Sequence, residues 1–123
     1  MPKKFKGVCL ITPNVSRLSG FYQEVLGTTA EGDESFTTFP TLGAELSIFP
    51  EQGMDAMAPG SIQGAGRGCL TLEFEVEDVD QEYEHLKALK VQVVKPPTTQ
   101  PWGLRSVWFR DCDGNLVNFY HPL

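Results

Sequence analysis

Apolar and polar positions along the chain alternate between two periods, and the order of those periods repeats. Gly7 to Thr12 is a short apolar, β-rich run closed by Pro13. Asn14-Val15-Ser16 then offers a helix cap, and Val15, Leu18, Phe21, Tyr22, Val25 and Leu26 follow at helical spacing before Gly27. Short β-like pieces come next at Thr28 to Ala30 and Ser35 to Phe39, with Gly32-Asp33 read as a turn. Pro40 and Gly43 bracket another turn, and Ala44 to Phe49 is a further strand. The first half therefore reads β-α-β-β-β.

From Pro50 to Gly68 the chain is rich in glycine and reads as a linker, with one short helical turn at Met54 to Ala58. It serves either as a passive crossover or as a lid. Alternation returns at Cys69 to Val76, with Leu70, Leu72, Phe74 and Val76 on one face and Thr71, Glu73 and Glu75 on the other. Asp78 caps a helix whose apolar positions are Val79, Tyr83, Leu86 and Leu89. Val91 to Val94 is a strand, Pro96-Pro97 and Pro101 mark a long turn, and Gly103 to Arg110 is the next strand. Asp111-Cys112-Asp113-Gly114 is a tight turn, and Asn115 to Tyr120 is the last strand. The order is again β-α-β-β-β. Aligning the helix starts Asn14 and Asp78 sets Gly7 against Thr71, and aligning Gly43 with Gly114 sets Ser47 against Asn118.

Bulk properties narrow the classes. The 123 residues, 41% hydrophobic and 21% charged, suit one globular domain covering 1–123. Within it, module one spans about 5–50, the linker 51–67 and module two about 68–123. The net charge of −6 argues against nucleic-acid binding. The apolar stretch Val8 to Ile11 is too short for a signal peptide or a membrane span, so a cytoplasmic protein with no membrane partner is expected. The three cysteines fit reduced thiols: Cys9 and Cys69 as small core residues, Cys112 in a turn.

Three segments carry a family resemblance. Val8 to Val15 followed by Phe21-Tyr22-Gln23-Glu24-Val25-Leu26-Gly27 is similar to the opening of the glyoxalase/bleomycin-resistance/extradiol dioxygenase (vicinal-oxygen-chelate) superfamily. Phe74 to Asp80 resembles the start of its second module. Pro101 to Arg105 with Phe109 to Asn115 resembles the ending, where the usual turn is Asp-Pro-Asp-Gly. The resemblance implies an α+β fold of two βαβββ modules, with curved sheets around a cavity and helices outside, and a homodimer.

It also implies where a metal would sit: one ligand from the first strand and one from the last strand of each module, usually His or Glu. Those positions hold Gly7, Ser47 (or Glu45), Thr71 and Asn118. Glycine has no donor side chain, and neutral hydroxyl and amide groups are poor ligands. No metal and no other cofactor is expected. His85 falls off the apolar stripe of its helix, and His121 has the opposite strand parity to Asn118. Asp111 and Asp113 bond their own turn backbone.

What remains suits a small organic ligand: Glu45, Ser47, Thr71, Glu73, Asn118 and Tyr120 facing the cavity, with Trp102 and Arg105 near it. Trp102 either stacks on a planar ligand or folds down as a packing plug. Arg105 either meets an anionic ligand or pairs with Glu73, Glu75 or a turn aspartate. Trp108 and Phe109 alternate faces, so one of them belongs to the core. The expected function is metal-independent binding of a small, planar or aromatic molecule, with the acidic balance and Glu45 favouring a cationic one, similar to bleomycin-resistance proteins. The alternative is a glyoxalase I-like lyase or isomerase, or a dioxygenase, with an atypical or absent metal site, in which Glu45 is the foremost acid–base candidate and Glu73 the next.

Overall fold

The computed structural model describes residues 2–123. The chain divides into two compact units, one ending at Ala65 and the other beginning at Gly66. The first holds β1 (Gly7–Thr12), α1 (Val15–Leu26), β2 (Glu31–Asp33), β3 (Phe36–Phe39), β4 (Glu45–Pro50) and α2 (Glu51–Met57). The second holds β5 (Thr71–Glu75), α3 (Val79–Ala88), β6 (Val93–Thr99), β7 (Leu104–Arg110) and β8 (Leu116–Pro122). Each unit contains a mixed four-stranded sheet, ordered β1-β4-β3-β2 and β5-β8-β7-β6.

In the first unit the Asn14 side chain accepts from the Arg17 N–H at 3.0 Å and starts α1. Gly27, in the left-handed region, ends it and donates to the Gln23 carbonyl. Val15, Leu18, Tyr22 and Val25 form the buried stripe of α1, and Tyr22 meets Phe39 edge-on at 6.2 Å. The second unit repeats the device. Asp78 accepts from the Gln81 N–H, and Val79 and Leu86 are buried. Phe119 lies edge-on to both Phe109 (4.9 Å) and Phe74 (5.8 Å).

The strand register carries the internal repeat. In the parallel pair β1–β4, Gly7 faces Glu45 and Cys9 faces Ser47. In the parallel pair β5–β8, Thr71 faces Leu116 and Glu73 faces Asn118. With Gly7 equivalent to Thr71 and Ser47 to Asn118, Cys9/Ser47 and Glu73/Asn118 are the same place in two copies of one motif.

Several local expectations are corrected. The second strand is Glu31–Asp33, not Thr28 to Ala30, and Gly32 lies inside it with φ +110°. The turn falls after it, where the Asp33 carboxylate accepts from the Ser35 N–H and hydroxyl. The Pro50 to Gly68 segment opens with a seven-residue helix, α2, packed against β1 and β4. Its Gly53 fits because the Phe49 ring occupies the place of a side chain. Pro96 and Pro97 stand within β6, not in a turn. That strand is an edge with two register shifts against β7, where a missing N–H costs no ladder bond. Cys9 and Cys69 are exposed, not core.

Gly7 shows how tightly β1 and β4 approach. A Cβ there would collide with the backbone carbonyl of Glu45, whereas Gly20, inside α1, has open space around it. Gly7→Ala should destabilise the protein by about 1–3 kcal/mol through overpacking. Gly20→Ala should stabilise it by about 0.5–1 kcal/mol. Urea denaturation of the two variants checks both signs.

Candidate functional site

Alternation gives each sheet a helix-covered face and an open one. In the first unit Leu46 and Ile48 of β4 and Leu10 of β1 are buried, so Glu45, Ser47 and Phe49 share the open face with Gly7, Cys9 and Ile11. Glu45 is exposed and pairs with Lys6 at 3.9 Å, a contact in which both side chains are mostly in water. Ser47 lies between Cys9 and Thr38. Phe49 meets Phe36 edge-on at 6.2 Å. A separate groove of about 360 Å³ lies along α1, lined by Ser16, Ser19, Gln23, Asp33 and Glu34 among others. It includes none of the site residues expected from the sequence.

In the second unit Leu72, Val117, Phe119, Val107 and Phe109 are buried on the helix side. The register then sets one row across the open face: Glu73, Asn118, Trp108 and Lys95 on β5, β8, β7 and β6. A second row runs Glu75, Tyr120, Ser106 and Thr98. Thr71 stands exposed at the start of β5.

Asn118 is the unusual member. It is only 3% exposed although it stands on the open face. Its Nδ2 donates to Glu73 Oε1 at 3.2 Å, while its Oδ1 is buried and has no hydrogen-bond partner. A carboxylate can only accept, so the amide must turn its nitrogen to Glu73 and its oxygen away. The orientation follows from the chemistry, and the orphan atom is an acceptor. Native proteins rarely leave such an atom unmet.

Two predicted site residues resolve alternatives left open by the sequence. Trp102 is 69% exposed in the turn between β6 and β7, so it is not folded down as a plug. Arg105 has the parity of Val107 and Phe109, which places it on the helix side. There Nε and Nη2 hold the Asp80 carboxylate of α3 at 2.8 and 2.7 Å, and Nη1 donates to Thr99. Its partner is none of the carboxylates considered from the sequence. The hydrogen bonds from Arg105 hold the Asp80 carboxyl below the ordinary carboxylate range and raise the guanidinium. Asp111 is a turn organiser, accepting from the Asp113 and Asn115 N–H groups and from Asn115 Nδ2. The His121 ring bonds the Val76 carbonyl, and His85 is exposed on α3.

The matching family model, the Glyoxalase/Bleomycin resistance protein/Dioxygenase superfamily, spans residues 4–119. The chain belongs to this superfamily. It is 27% identical to the uncharacterized protein YraH of Bacillus subtilis, over 98% of this chain and 99% of YraH. Its fold is similar to that of a glyoxalase/bleomycin resistance protein/dioxygenase family enzyme from Burkholderia phytofirmans (TM-score 0.87, 17% identity, 98% and 100% covered). It is also similar to a lactoylglutathione lyase from Agrobacterium tumefaciens (TM-score 0.77, 24% identity, 98% and 94% covered). At such identities these likenesses speak for fold alone.

The superfamily's metal positions do not fit a metal here. At Gly7 the Glu45 backbone fills the space any side chain would need. Thr71 and Asn118 offer neutral oxygens, and Asn118 faces Glu73 with its nitrogen. Among the described residues no three His, Cys, Asp or Glu side chains converge as a metal centre requires. Among the described residues, too, no helix is long and apolar enough to cross a membrane.

Trp108 and Lys95 are the members of the row that sequence reading did not place on it. Trp108 carried a usable signal, because Val107 and Phe109 flank it as apolar neighbours of the opposite parity. Lys95 carried none, since its parity depends on the bulges of β6.

Two outcomes follow. Asn118→Leu should stabilise the unliganded protein by about 1 kcal/mol, because it removes a buried unmet acceptor; thermal and urea denaturation measure it. Asp80 has a folded-state value below its unfolded one, so its contribution is complete above the ordinary carboxylate range and is lost as pH falls through the lower folded value. Asp80→Asn should therefore lower stability at pH 7 and narrow the difference from wild type below about pH 4.

Proposed function

We propose that this protein binds a small organic molecule without a metal and releases it unchanged. The observation that carries this reading is the unmet Asn118 Oδ1 on the open face of the second sheet. A buried acceptor maintained without a partner costs stability, and binding sites are where such a cost persists. The setting agrees with it: a half-buried indole, a phenol and hydroxyls surround a few oriented polar groups, the usual make-up of a small-molecule site. Family membership supports the fold context and leaves the chemistry to the site.

The lyase, isomerase or dioxygenase reading needs either a metal or a carboxylate base. Its carboxylates, Glu45 and Glu73, sit exposed on the two sheets, and the donor set argued above does not fit a divalent ion.

The test is metal content by elemental analysis after purification without chelator, soaking in zinc, nickel, iron and manganese, and desalting. The expected result is no stoichiometric retention, together with a thermal shift on adding aromatic small molecules. Stoichiometric metal, or turnover of a glyoxalase-type substrate that Glu45→Gln or Glu73→Gln abolishes, would replace this reading with the enzymatic one.

A further inference from the structure

We infer that the ligand is a flat cation carrying two adjacent N–H donors, an amidinium or a protonated amino-heteroaromatic group, anchored on Glu73 and Asn118 with its ring over Trp108. The inference rests on the binding-protein reading above and names the chemistry of that site.

Hydrogen-bond valence sets the polarity of the site. Asn118 Nδ2 is engaged by Glu73, so the buried atom that the amide has left to offer is an acceptor. Oδ1 therefore selects a donor and rejects a carbonyl, carboxylate or phosphate oxygen. Glu73 presents the same polarity, since one carboxylate oxygen takes the amide proton and the other remains to accept. Two acceptors on neighbouring strands match a group with two parallel N–H bonds.

Charge along the row points the same way. Glu73 and Glu75 stand together on the open face of β5, at one end of the two rows. Lys95 stands at the opposite end, beyond Trp108. The two arginines of this sheet do not offset the carboxylates: Arg105 holds Asp80 on the helix side, and Arg110 donates to the Gly114 carbonyl at 3.0 Å. A cation is thus drawn to the Glu73 end and repelled from the Lys95 end. The chain's net charge of −6 adds to the attraction at long range.

Spacing supplies the ring. Adjacent strands lie about 4.8 Å apart, so roughly 10 Å separates β5 from β7. A donor group seated between Glu73 and Asn118 leaves an attached ring in reach of the Trp108 face, which favours flat, electron-poor partners.

The test uses the full chain and three isosteric probes: benzamidine (cation, donors), benzamide (neutral) and benzoate (anion, acceptors). Backbone and side-chain amide spectra by NMR titration read both affinity and location. The expected result is binding of benzamidine, with the Asn118 side-chain and Trp108 indole signals moving, weaker binding of benzamide and none of benzoate. Glu73→Gln should cost at least about tenfold in benzamidine affinity, the scale of a charge-assisted hydrogen bond. Asn118→Leu should abolish binding, with Thr98→Ala, on the neighbouring row, as a control that keeps it. Both site variants are checked for native dispersion of the spectrum, and the isosteric, exposed Glu73→Gln remains informative even if Asn118→Leu misfolds. Equal binding of benzamide and benzamidine, or indifference to Glu73→Gln, would overturn the cation inference while leaving a small-molecule site standing. Absence of any response to these probes, and to a wider set of neutral aromatics, would overturn both.

Discussion

The parallel pairing of the first and last strands in each module is the constraint from which the rest follows. In β5–β8 that pairing sets Glu73 beside Asn118, and in β1–β4 it sets Cys9 beside Ser47. A slip of one residue would turn Asn118 to the helix side and bring Phe119 out to the open face. The slip is prevented by the buried set on the covered face, where Phe119 is locked between Phe74 and Phe109 and Val107 and Val117 are fully buried. The apolar side of the sheet thus enforces the geometry of its polar side.

The two copies of the motif have diverged under that shared frame. In the first unit β1 approaches β4 so closely that only glycine fits at position 7. The open face there carries Cys9, Ser47 and aromatic rings, with the Glu45 carboxylate in water. In the second unit the equivalent pair has become a carboxylate and an amide held together by a hydrogen bond. That bond consumes the amide's donor and leaves its acceptor unmet, and this polarity gives the second sheet its chemical character.

Electrostatics outside the site serve architecture. Arg105 ties β7 to α3 through a bidentate contact with Asp80, and Asp111 gathers three donors to shape the turn before β8. Both residues have side chains suited to recognition, and both are fully occupied within their own unit. The superfamily's name joins glyoxalases, bleomycin-resistance proteins and dioxygenases, so the shared fold does not by itself assign the chemistry.

The sequence by itself determined the two β-α-β-β-β modules, both helix caps, and the strand parity of Asn118, Tyr120 and His121. Those features depend on local spacing, and local spacing survives folding. It misplaced β2, cut β6 short at Pro96-Pro97, and took Cys9 and Cys69 for core. Edge position and sheet order decide those points, and neither is encoded in a window of residues. It set Arg105 near the site because its strand was right, although the parity it shares with Val107 and Phe109 puts it on the other face. Only the tertiary structure could show that Asn118 is buried, bonded to Glu73, and left with one acceptor unmet. A hydrogen bond between residues 45 positions apart depends on which strands become neighbours, and burial depends on everything packed around them.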